Sequence, residues 1–179
     1  MESSIDRRAA AAPRPWILPR RARLAILTAH VMMSVGLLGD SAGFLAVAMR
    51  AHASASREAM LPLVETLKMF SLVFGIPLSV GALITGIVLG LGGKWGVFRY
   101  PWVTAKLLLV VSVMAVGGFA IGPTQDAILS GAALQPGGDA TMRLIAAAAY
   151  DVAALGTATA LSVFKPGGQF RRRGVTAIR

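Results

Sequence analysis

The sequence predicts an all-α fold, a polytopic membrane protein built as a four-transmembrane-helix bundle. Three observations carry that expectation. Apolar runs of about 20 residues or more, the length a helix needs to cross hydrocarbon, recur four times. Charged residues make up only 15% of the 179, against about 25% in soluble domains, and they crowd into the two ends and a few short connections. The basic residues, finally, fall mostly on one side of the alternation that four spans impose.

Residues 1–23 form a basic tail. Pro13, Pro15 and Pro19 discourage a continuous helix there, and Trp16, Ile17 and Leu18 are placed to touch the membrane surface beside arginines. The first span is expected at 24–49, bracketed by Arg23 and Arg50. The AHASA that follows resembles a signal-peptidase site, but a secretory apolar segment is only about 7–15 residues long. This run is longer and contains Asp40, so a retained span is expected. Residues 51–68 read as a polar connection leading into a helix start, with Glu65 and Lys68 on one helical face. The second span follows at 69–91. Its Pro77 removes one backbone hydrogen bond, which a membrane bundle tolerates.

The connection GGKWGVFRYPW holds Trp95, Phe98, Tyr100 and Trp102, rings suited to the half-wet headgroup level. The third span is expected at 102–122. Residues 123–142, with Pro123, Pro136, Gly137, Gly138 and two aspartates, read as an aqueous loop. The fourth span is expected at 143–164, and 165–179 close the chain as a second basic tail. The membrane domain is thus 24–164.

Orientation follows from the basic residues. Of the 18 Lys and Arg, fourteen lie in the two tails or at the 92–106 connection, and only Arg50, Arg57, Lys68 and Arg143 lie opposite. The positive-inside rule then places both termini in the cytoplasm, as a multi-pass protein of a bacterial inner (cytoplasmic) membrane. The net charge of +10 marks this topology and an affinity for anionic lipid. No basic stretch follows a nucleic-acid-binding pattern, so nucleic acid is not an expected partner.

With no Cys in the chain, disulfides, thiolate metal sites and thiol nucleophiles are excluded. No P-loop, HExxH, GxSxG or dinucleotide fingerprint is present, and no catalytic residue or metal site is assigned. What remains is polar residues inside apolar spans, where an ionisable group is a functional candidate. Asp40 and Asp151 are the more informative pair. Antiparallel first and fourth spans put both slightly outward of mid-membrane, and Asp40 shares a helical face with Gly36 and Gly43, the kind of small residue that marks a helix contact. They are candidates for an ion or proton site. The structural alternative bonds each to a hydroxyl such as Ser41, Tyr150 or Thr157, or to a water.

His30 lies roughly 8 Å to the cytoplasmic side of the first span's midpoint. His52, 22 residues on along the same helix, is too far away to share a metal with it. Lys106, one turn inside the third span, is expected to snorkel to the headgroups. Gly39-x-x-x-Gly43 and Ala82-x-x-x-Gly86-x-x-x-Gly90 permit close helix packing, within the bundle or in a homo-oligomer.

Three stretches, AHVMMSVGLLGDSAGFLAVAM at 29–49, LGGKWGVFRYPWVTAKLLL at 91–109 and LSVFKPGG at 161–168, resemble a family of uncharacterised four-span integral membrane proteins common in actinobacteria. More distantly, such proteins are similar to the four-helix membrane domains of the copper-resistance D type. The resemblance spans about 25–168. It implies the four-span fold, and through the distant relatives it implies intramembrane histidine binding metal or haem, which here falls on His30. The expected function is a small non-enzymatic membrane protein, an accessory or oligomerising subunit that binds no cofactor and whose partners are lipid and other membrane helices. The alternatives are a haem- or metal-binding redox domain and a small proton- or cation-linked transporter.

Overall fold

The computed structural model describes residues 18–91 and 101–164. They form four helices long and apolar enough to cross a membrane: α1 (Arg20–His52), α2 (Arg57–Leu91), α3 (Pro101–Leu129) and α4 (Asp139–Phe164). No strand occurs among them. Packing runs around a ring, α1 on α2, α2 on α3, α3 on α4 and α4 back on α1, with the α1–α2 contact the most extensive. The fold is an all-α four-helix bundle of a multi-pass membrane protein. The expectations for residues 1–17, for Lys94, Trp95, Phe98, Arg99 and Tyr100, and for the tail 165–179 lie outside the described residues.

The antiparallel ring gives the bundle two unlike ends. One, here the terminal end, carries the start of α1 and the end of α4. The other, the hairpin end, holds the α1–α2 and α3–α4 connections. The α1–α2 turn is short because Ser56 caps α2, its hydroxyl accepting the Ala59 N–H at 3.3 Å, and Glu58 sits in the first turn where the helix dipole favours a negative charge. The α3–α4 turn needs two residues with positive φ, and both are glycine, Gly131 at 88° and Gly137 at 67°, as the cost of a Cβ in that region requires. Across this end the His52 ring and the Thr141 hydroxyl are hydrogen-bonded at 2.8 Å, tying the end of α1 to the start of α4.

The tightest packing is also at the hairpin end. Ala48 and Ala51 of α1, Met60, Val64 and Leu67 of α2, Ile128 of α3 and Leu144 of α4 are all fully buried in one cluster. Lipid is as apolar as these side chains, so their contribution comes from close van der Waals contact. The alanines on α1 and α4 let the backbones approach. The outward faces are large and apolar, with Met32, Phe74, Leu108 and Phe119 all exposed, as a surface turned to hydrocarbon must be.

Two helices run further than composition led one to expect. α2 begins at Arg57, so residues 57–68 belong to the spanning helix itself and not to a connection before it. α3 continues through Pro123 to Leu129, so residues 123–129 belong to the helix and not to the aqueous loop. Both helices also run through a proline, Pro77 in α2 and Pro123 in α3. A proline lacks the N–H its turn requires and crowds the carbonyl four residues back. Each helix absorbs this with one wider π turn just before the proline, Ser71–Gly75 ahead of Pro77 and Gly117–Ile121 ahead of Pro123. The Ile76 and Gly122 N–H groups reach back five residues, to the Ser71 and Gly117 carbonyls. Each helix continues past its proline without ending.

Candidate functional site

Both π turns line one cavity of about 280 Å³ between the four helices, on the hairpin side of the bundle's middle. A π turn inside an α-helix recurs at functional sites, since it re-aims side chains and loosens the backbone ladder locally. Asp40 of α1 and Asp151 of α4 line the same cavity, so the structure brings together the two carboxyls that the sequence singles out. Gln125 of α3 joins them, fully buried, in the stretch read as loop.

The hydrogen bonding of these three groups is incomplete. Asp40 Oδ1, Asp151 Oδ1 and Gln125 Oε1 are buried side-chain oxygens without a hydrogen-bond partner. Buried polar atoms are nearly always bonded, and leaving one unsatisfied costs about 1–3 kcal/mol. Here three acceptors from three helices share one cavity. Of the three hydroxyls expected to serve the aspartates, two are engaged elsewhere, Tyr150 donating to Ser112 Oγ at 2.7 Å and Thr157 to the Ala153 carbonyl at 2.8 Å, while Ser41 lines the same cavity. Gln125 uses its amide nitrogen on Ser71 Oγ, at 3.3 Å, which turns its carbonyl oxygen to the acceptor role. Gly75, in the first π turn, leaves room beside the carboxylate. A Cβ there would lie 3.4 Å from Asp40 Oδ2.

At the cavity's edge Lys68 pairs with Asp126, Nζ to Oδ1 at 2.6 Å, joining α2 to α3. Among the lining residues Lys68 is the one cation, against Asp40 and Asp151, and Asp126 already holds it. The interior therefore presents oxygen acceptors and negative charge. Oxygen-only donor sets suit protons and hard cations rather than soft metals.

The other candidates lie elsewhere. His30 faces α2 toward the terminal end, where its Nδ1 donates to the Ala82 carbonyl at 3.1 Å and lies 3.0 Å from the Thr85 hydroxyl. His52 is engaged at the hairpin end. The two histidines stand at opposite ends, and no group of three or more His, Cys, Asp or Glu gathers among the described residues. Of the glycines, Gly36 and Gly43 contact α2, where a Cβ would meet Leu78 at 3.4 Å and Phe70 at 3.3 Å. Gly86 receives the His30 ring, its Cβ position being 3.2 Å from Cε1, and Gly90 is buried. Gly39, by contrast, faces open space with nothing within 4 Å. The α1 contact stripe is Gly36 and Gly43 flanking Asp40, and the Gly39-x-x-x-Gly43 pairing plays no part in it. Gly81, which the pattern reading passed over, is the tightest approach, since a Cβ would come within 2.5 Å of Met33 Sδ.

Gln125, Ser71 and Gly75 escaped the sequence reading. The only signal for Gln125 was a lone amide two residues after a proline, and the proline had been taken as the end of the span. Comparisons of this chain with protein-family models, with curated proteins and with solved structures find no match.

Proposed function

We propose that this protein is a small proton- or cation-linked carrier in which Asp40, Asp151 and Gln125 hold the coupling ion. The observation that carries the reading is the set of three partnerless buried oxygens from three helices converging on one cavity. A carboxylate inside a membrane is costly, and a purely structural bundle gains nothing from two of them left unbonded. A proton, an alkali cation or a small ammonium would offset the cost. The π turns of α2 and α3 beside the cavity fit the same reading, because interrupted helices near mid-membrane are where membrane carriers place their ion sites.

The test is made on the purified chain in neutral detergent, in choline chloride. Added sodium, potassium or methylammonium is expected to raise Tm saturably for at least one ion, and proteoliposomes are expected to show flux of that ion or of protons. Both effects should vanish in Asp40→Asn and in Asp151→Asn. If no cation shifts Tm and no flux is seen, the accessory or oligomerising subunit takes its place. A Soret band that His30→Ala removes would favour the haem reading instead.

The proposed orientation has both termini in the cytoplasm of a bacterial cell. It puts the acidic cavity in the outer half of the membrane and fourteen of 18 basic residues inside. Topology reporters fused at residues 5 and 175 are expected to read cytoplasmic, and a periplasmic reading at either would break the model.

A further inference from the structure

A second cavity, of about 310 Å³, lies toward the terminal end and is walled by all four helices. Its chemistry is the opposite of the first. Arg23, His30 and Lys106 line it, and among the described residues no Asp or Glu does. Lys106 was expected to run out along its own stem to the headgroups. It reaches across the bundle to α4 instead, donating to Ser162 Oγ at 2.9 Å, with its ammonium 5.1 Å from the centre of the Trp102 ring. Ser34 of α1 and Thr159 and Ser162 of α4 line it as well, the last two donating their hydroxyls to the Leu155 and Ala158 carbonyls at 2.9 and 3.0 Å. Towards the middle of the bundle the walls turn apolar, with Leu27, Leu83, Val110 and Leu155. Leu37 borders both cavities and packs with Val113, Ala154 and Leu155 in a small buried cluster between them.

Topology alone explains arginines at the membrane surface. It does not explain a lysine turned across the bundle into a cavity that also holds a histidine, three hydroxyls and an apolar floor. Cationic groups at one end of an apolar cavity are what an oxyanion head joined to a hydrocarbon body would need, since the charge-assisted hydrogen bonds are the strong ones and the body is recognised by apolar contact. We propose that this cavity binds an amphiphilic oxyanion, a phosphate or carboxylate head held by Arg23 and Lys106, with a single apolar chain reaching towards Leu37. The site is separate from the acidic cavity and does not depend on the cation reading.

The experiment titrates the purified full chain in neutral detergent with decyl phosphate and with decanoate, following tryptophan fluorescence and Tm. Trp102→Phe identifies the signal from the cavity among the three tryptophans. Both amphiphiles are expected to saturate the signal and raise Tm, with Lys106→Gln and Arg23→Gln each weakening the apparent Kd tenfold or more. Ser34→Leu fills the cavity without touching its charge and should weaken binding as much, so a charge variant that fails to fold does not remove the test. Decyltrimethylammonium and inorganic phosphate at matched concentration should give no response, the first lacking the charge and the second the chain. An equal response to decyltrimethylammonium overturns the proposal. So does reproduction of the effect by inorganic phosphate alone, or an affinity that stays within twofold in all three variants.

Discussion

Replacing Asp40 or Asp151 by asparagine is expected to raise the thermal stability of the cation-free protein, and the two gains are expected not to add. Each carboxyl now carries a buried oxygen without a partner. On the membrane-insertion scale an aspartate near the middle of a helix costs about 2.5–3.5 kcal/mol, and asparagine of nearly the same shape removes the charge while adding two donors. Part of that cost should be recovered, about 1–2 kcal/mol per site, which for a chain of this size is about 2–8 °C in Tm. The double variant should gain less than the sum, because two acids in one cavity repel and removing either relieves both. Residues that share a network couple by about 0.5–3 kcal/mol. Thermal unfolding of the four proteins, wild type, two singles and the double, measures the coupling. Additive effects would separate the two acids. A fall in Tm for each single variant would show that the carboxyls have structural partners, and the site would lose its support.

A far larger loss is expected from Leu144→Ala. Leu144 is fully buried where α4 meets the hairpin-end cluster of Met60, Val64, Leu67 and Ile128. Cutting it to a methyl leaves a cavity that fixed helices fill only in part, at a cost of about 2–5 kcal/mol. Leu108 on the outer face of α3 is mostly exposed, and Leu108→Ala should change stability by under about 0.5 kcal/mol, as substitutions away from packed positions usually do. Both are read from the same unfolding curves in detergent. Equal effects would mean that the hairpin end is not the mechanical anchor of the bundle.

How far each layer was legible follows from where its cause lies. The number of spans and the all-α fold are properties of the sequence by itself, because hydrocarbon thickness dictates the length of an apolar run and the bilayer forces every backbone group to bond within its own helix. The inward face of Asp40 was legible for a similarly local reason, since glycines four before and three after it lie on its own side of the helix. Proline was where the local reading failed. Pro123 looked like the end of a span, yet a π turn takes up the missing hydrogen bond and carries α3 on to Leu129, with Gln125 inside it. Residues from Arg57 onward read as a connection for want of a cue that α2 begins there. Only the tertiary structure decided that Asp40, Asp151 and Gln125 share one cavity, and that Tyr150 and Thr157 bond elsewhere. Depth along a helix can be counted in residues at a fixed rise. Which faces of four helices meet is set by the fit of side chains distant in sequence, and no single run contains that information.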